Sequence, residues 1–169
     1  MNLLKEAQKI SDELDDVVFV GAIAVQAHIG RGRQTHDIDL ALASPMSDEE
    51  LASRGYLVHL ENGKKVRRSP RGVRVDIYME EVSGIVVSLI SKTAQTKSLG
   101  KGETIKIMCL EALLLAKLRA SRPSRPQDAQ DIQELFSYRK LHIDWTIFEE
   151  LGASEIEIAN LKKLSSFRR

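Results

Sequence analysis

Residues 17–42 read VVFVGAIAVQAHIGRGRQTHDIDLAL, and the order of residue types in this stretch decides the fold. The wholly apolar run 17–20 predicts a short buried strand. Gly21 turns the chain into a helix over 22–28, with Ile23, Ala24 and Ala27 suited to a core face. A basic loop, GRGRQ at 30–34, leads to a second strand over 35–43. Strand side chains alternate between faces, so Asp37 and Asp39 share one. Their neighbours Ile38, Leu40, Ala41 and Leu42 belong to a buried strand, a costly place for two like charges. One of the acids would take up a proton unless a cation sat between them. Paired acids in apolar surroundings therefore predict a divalent metal site.

Outward from this stretch, the chain alternates strands and helices. Leu3, Leu4, Ala7, Ile10 and Leu14 lie at helical spacing before the first strand. After the second strand, Ser47 and Glu50 form a capping-box pattern for a helix over 48–53. Strands over 56–60 and 64–68 are joined by Asn62-Gly63, a hairpin signal. Residues 73–79 have the clearest period-two pattern, with Val73, Val75, Ile77 and Met79 alternating with Arg74, Asp76 and Tyr78. Residues 83–91 are read as a helix by length and position, and 93–107 as one or two short strands around Gly100 and Gly102. From Met108 the pattern is helical, with a break at SRPSRP, then helices over 128–138, 144–151 and 154–167. This change predicts a core over 1–105 and a C-terminal helical subdomain over 106–169. The expected fold is α/β: a small mixed, twisted sheet with helices on one face, Asp37, Asp39 and Asp76 on adjacent strands, and that subdomain appended.

Bulk properties narrow the classes. The chain has 169 residues, 43% hydrophobic and 29% charged, with a formal net charge of +1. That composition is globular rather than disordered, and any nucleic-acid contact must come from local clustering. Cys109 is the single cysteine, which excludes a disulfide framework or a cysteine-based zinc site and fits a reducing compartment. The N-terminus is too acidic for a signal or transit peptide. The longest apolar run, near 110–118, is interrupted by Glu111 and Lys117 and cannot span a bilayer. A soluble, cytoplasmic protein without membrane contact is expected.

Asp76 adds a third carboxylate to Asp37 and Asp39, a set suited to two-metal phosphoryl chemistry. Mg2+ prefers carboxylate oxygens and keeps sites for water and phosphate. Two such ions about 4 Å apart activate an attacking hydroxyl and stabilise departing pyrophosphate. Gly21 lets the backbone approach a triphosphate at the positive end of the following helix.

The pattern GAIAVQAH…RGRQTHDIDLAL resembles the signature of the DNA polymerase β-like nucleotidyltransferase superfamily. It is most similar to the minimal prokaryotic branch related to abortive-infection (AbiEii-type) nucleotidyltransferase toxins. Gly21, Ala22, His28, Arg33, Thr35, Asp37 and Asp39 occupy the motif places, and VRVDIYM supplies Asp76 as the third carboxylate. The run IKIMCLEALLLAKLRA…PQDAQDIQEL is similar to the branch's helical segment, with Lys117, Arg119, Asp128 and Asp131 at matching places. The resemblance implies an enzyme moving NMP from ATP or another NTP to a hydroxyl on tRNA, a protein or a small molecule. It also implies a toxin–antitoxin or defence setting with a cognate antitoxin as partner. Asp37 and Asp39 would hold two Mg2+ ions, with Asp76 on the catalytic one. Gly21 and Ala22 would hold the triphosphate, and Lys117 would face the nucleotide. Many active relatives carry Ser or a second Gly where Ala22 offers only its N–H.

Other readings stand beside these. Without catalysis, the same fold would serve as a nucleotide-binding or partner-binding module. Arg33 and Thr35 are either loop polar groups or, respectively, a phosphate ligand and a shaper of the second strand's start. His28 reads as a core histidine, and His36 points away from Asp37. Lys117 either snorkels or meets nucleotide, while Asp128 and Asp131 cap their helix or contact Lys117 or Arg119. Lys64, Lys65, Arg67, Arg68, Arg71 and Arg74 form a basic run containing no acid. It is either an edge protected by charge or a docking strip for RNA phosphates.

Overall fold

The computed structural model describes residues 3–32, 34–100, 102–138 and 140–166. In chain order the elements are α1 (Leu3–Glu13), β1 (Val17–Phe19), α2 (Gly21–Ile29), β2 (Asp37–Leu42), α3 (Asp48–Ser53), β3 (Leu57–Glu61), β4 (Lys64–Arg68) and β5 (Arg74–Tyr78). There follow β6 (Glu81–Val82), β7 (Ile85–Val86), α4 (Val87–Thr93), β8 (Gln95–Gly100), β9 (Glu103–Ile107), α5 (Leu110–Ala120), α6 (Pro126–Ser137), α7 (Ile147–Glu150) and α8 (Glu155–Ser166). Seven strands form one mixed sheet in the order β3-β4-β5-β2-β1-β9-β8. β2 runs parallel to β5 and β1 parallel to β9, and the remaining neighbours are antiparallel. The expected α/β architecture is the observed one.

β1 is apolar throughout because it lies inside the sheet, between β2 and β9, and all three of its residues are buried. The capping box forms as its spacing dictates: Glu50 N–H donates to Ser47 Oγ at 3.2 Å, and Ser47 N–H donates to Glu50 Oε2 at 2.7 Å. Asn62 and Gly63 take left-handed φ of 52° and 74°, closing the β3–β4 hairpin.

The helix expected over 83–91 needs correction at its start. Ser83 and Gly84 adopt φ of 51° and 75° and turn the short β6–β7 hairpin, so the helix begins only at Val87. The Ser-Gly pair is the turn signal that length and position overrode.

α5 is buried from Leu110 to Lys117 and packs against α2, α6, α7 and α8. The composition change near residue 105 falls within β9, and the run of helices opens at Leu110. Among the described residues no helix is long and apolar enough to cross a membrane.

The basic run over 64–74 contains no acid but meets several from elsewhere. Lys65 and Arg67 pair with Asp48 at 2.5 and 3.0 Å, and Arg68 with Glu61 at 3.7 Å. Arg71 pairs with Glu6 and Glu13 at 2.7 and 2.5 Å. Much of the positive charge of this hairpin therefore ties β4 and the turn before β5 to α1, α3 and β3.

Candidate active site

The register of two parallel strands builds the site. Asp39 on β2 lies directly opposite Asp76 on β5, and Asp37 opposite Arg74. In-register residues of neighbouring strands project to the same side, so all four share one face. Arg74 Nε donates to Asp76 Oδ1 at 3.2 Å, and Thr35 Oγ1 donates to Asp37 Oδ1.

The start of α2 is fastened to the same place. Val20 N–H donates to the backbone oxygen of Asp39 at 3.0 Å. Gly21 then takes φ +57°, where a Cβ would collide with Asp39 Oδ2 and stand 3.0 Å from Asp39 Cβ and Cγ. Glycine is thus required twice, for its dihedral and for the missing atom. Substituting Gly21→Ala is expected to lower stability by about 2–3 kcal/mol and to displace the Asp39 carboxylate. Urea denaturation checks the first effect and a structure of the variant the second. Ala22 is only 3% exposed and does not line the cavity beside Gly21.

That cavity, of about 90 Å³, is bordered by Gly21, Asp39, Tyr78, Lys117, Arg125 and Asp128. Burial first, then the charges of Asp37 and Asp76, push the Asp39 carboxyl up from 3.8 to about 6. Tyr78 Oη donates to Asp39 Oδ1 at 3.4 Å. Burial first, then the charges of Asp39 and Asp76, push its phenol up to about 12, so it remains a donor. A larger open groove, about 540 Å³, is bordered by Thr35 and Arg74, with Gln26, Gln34, His36 and Arg68 also on its walls.

Lys117 does not snorkel to solvent. Its Nζ lies 2.9 Å from Asp128 and 2.6 Å from Asp131, all three side chains being buried. Arg125 adds a contact to Asp128 at 3.1 Å. Asp128 and Asp131 thus serve Lys117, whereas Arg119 pairs with Glu157 at 2.7 Å and ties α5 to α8. His28 is a satisfied core histidine, with Nε2 2.9 Å from the Met108 oxygen and its pKa lowered by burial. Arg33 lies outside the described residues.

The structure therefore draws Gly21, Asp39 and Lys117 to one cavity, places Asp37 and Asp76 beside Asp39, and sets Thr35 on Asp37. Sequence reasoning did not assign Arg74, Tyr78 or Arg125 to this site. The first two were readable, since they share the Asp76 face of β5 at a spacing of two. Arg125 carried only one signal, its place just before a helix-starting proline.

The donor set suits a hard cation: carboxylate oxygens, with mutual repulsion that a divalent charge would relieve. Among the described residues no three His, Cys, Asp or Glu side chains converge tightly enough to form a metal cage. An ion here would therefore complete its shell with water and phosphate oxygens, as Mg2+ commonly does.

No curated protein matched the chain in a search. A family model described as "Nucleotidyl transferase of unknown function (DUF2204)" matches residues 1–154. That match spans both the acid-bearing sheet and the Lys117 helix pair, and the chain belongs to this nucleotidyltransferase family.

Proposed function

We propose that the protein is a Mg2+-dependent nucleotidyltransferase that moves a nucleoside monophosphate from an NTP to a hydroxyl acceptor. The observation supporting this most directly is the register that sets Asp39 beside Asp76 at the N-terminus of α2. Asp37 and Asp39 would hold the metal ions, with Asp76 a further ligand to the catalytic one. When bound, Mg2+ supplies positive charge between these carboxylates and the phosphate oxygens. The N–H groups of Gly21 and Ala22, at the positive end of α2, orient the triphosphate. Arg33 and Thr35 border this region in sequence, and Thr35 steadies Asp37 through its hydroxyl.

The acceptor hydroxyl gives its proton to Asp76 as its oxygen bonds to the α-phosphorus. The bond from that phosphorus to the bridging oxygen breaks, and pyrophosphate leaves with the electron pair. Arg74 has to turn away from Asp76 for the carboxylate to receive the proton, since the two are paired at 3.2 Å.

The order of Gly21, His28, Arg33, Thr35, Asp37 and Asp39 supports a place near the abortive-infection toxins. A tRNA end, a protein hydroxyl or a small molecule would then be the acceptor, and an antitoxin the partner. A binding module without catalysis is the second reading, favoured by Ala22 and by the Arg74–Asp76 pair.

Each NTP, labelled at its α-phosphate, is to be offered with Mg2+, tRNA and cell lysate. The expected result is transfer of label with pyrophosphate release, both abolished by EDTA. Nucleotide binding without pyrophosphate release under all these conditions would overturn the transferase and support the module.

A further inference from the structure

The identity of the ligand here rests on the transferase reading, but the inference does not depend on turnover. The resemblance aims Lys117 at the nucleotide, yet its charge is already committed. Asp128 and Asp131 hold Nζ at 2.9 and 2.6 Å, and each carboxylate is only 1% exposed. Drawing Lys117 onto a phosphate would uncover two buried negative charges, a severe penalty.

Arg125 is placed differently. Its side chain is 47% exposed, and its recorded contact is Nε to Asp128 Oδ2 at 3.1 Å. That contact lacks hydrogen-bond geometry, for Asp128 Oδ2 is a buried oxygen with no hydrogen-bond donor among the described residues. Arg125 is also the residue before Pro126, so it overhangs the N-terminus of the 12-residue α6. It borders the same cavity as Gly21 at the N-terminus of α2, and α2 and α6 pack together. The volume of about 90 Å³ leaves room for a phosphate group.

We propose that Arg125, and not Lys117, is the side chain that grips the nucleotide's phosphates, exchanging its loose contact with Asp128 for phosphate oxygens. The planar guanidinium can meet two such oxygens at once, which an ammonium cannot. Lys117 is the strut: by binding Asp128 and Asp131 it docks α6 on α5 and sets Arg125 over the cavity.

Isothermal titration of the full chain with inorganic tripolyphosphate tests this without requiring catalysis. Arg125→Ala is expected to weaken binding tenfold or more while leaving the thermal midpoint unchanged. Arg125→Lys is expected to recover only part of the loss, and Arg122→Ala, in the same loop, to bind as wild type. Lys117→Met is expected to melt earlier yet still gain midpoint when tripolyphosphate is added. Wild-type affinity in Arg125→Ala, or no tripolyphosphate binding by the wild type, would overturn the assignment. So would a folded Lys117→Met that gains no midpoint while Arg125→Ala still does. If tripolyphosphate binds through Arg125 but no NMP transfer is ever seen, the transferase reading falls and the assignment stands.

Discussion

Asp39→Asn is expected to abolish nucleotidyl transfer, by a factor of about a thousand or more, while making the metal-free protein more stable. The carboxyl's pKa rises from 3.8 to about 6 because of burial and the charges of Asp37 and Asp76. Below pH 3.8 the group is protonated in both the folded and unfolded chain and costs nothing. As pH rises toward 6 the unfolded chain has released a proton that the folded chain still holds, so stability falls across that window. Above it both states are ionised and the full cost persists. A shift of about two pH units corresponds to about 3 kcal/mol, and the residue's partial solvent contact reduces this to about 1–2 kcal/mol. Asparagine removes the charge and with it the pH dependence. Thermal melts from pH 4 to 8 should therefore show a decline in the wild type between about 4 and 6 that the variant lacks. Adding Mg2+ should raise the wild-type midpoint more than the variant's. Equal melts at every pH, or undiminished transfer, would remove Asp39 from the centre of the site.

The second large effect is expected from Lys117→Met. The substitution keeps the length and apolar stem of the side chain and deletes only the charge. It leaves Asp128 and Asp131 buried without their shared cation, and Arg125 touches only one of them. Breaking a buried ion pair by removing one partner costs about 3–5 kcal/mol, because the surviving charge has no water to return to. Urea denaturation should show that loss. The variant Lys117→Met/Asp128→Leu/Asp131→Leu should recover most of it, since an apolar replacement of a whole buried network is often neutral. A single variant as stable as the wild type would mean that the network contributes nothing to holding α6 on α5.

These effects separate what was legible in the chain from what was not. A period of two is a local property, so the shared face of Asp37 and Asp39 and the place of Asp76 followed from spacing alone. The capping box of Ser47 and Glu50 and the Asn62-Gly63 hairpin are equally local, and both form as read. Where the reading failed, over residues 83–86, a local turn signal had been outweighed by element length. The basic run shows the opposite limit. It looks uncompensated along the chain, yet α1, α3 and β3 bring Glu6, Glu13, Asp48 and Glu61 to it.

The sequence by itself determined which faces are apolar, where the glycine turn falls and which strands carry acids, because these depend on neighbours a few residues away. Only the tertiary structure decided that β2 and β5 are parallel partners in the register that sets Asp39 beside Asp76. It alone decided too that Asp128 and Asp131 reach back to Lys117. Register and ion pairing join residues far apart in the chain, and the energy selecting them comes from packing the whole core, which no local pattern contains.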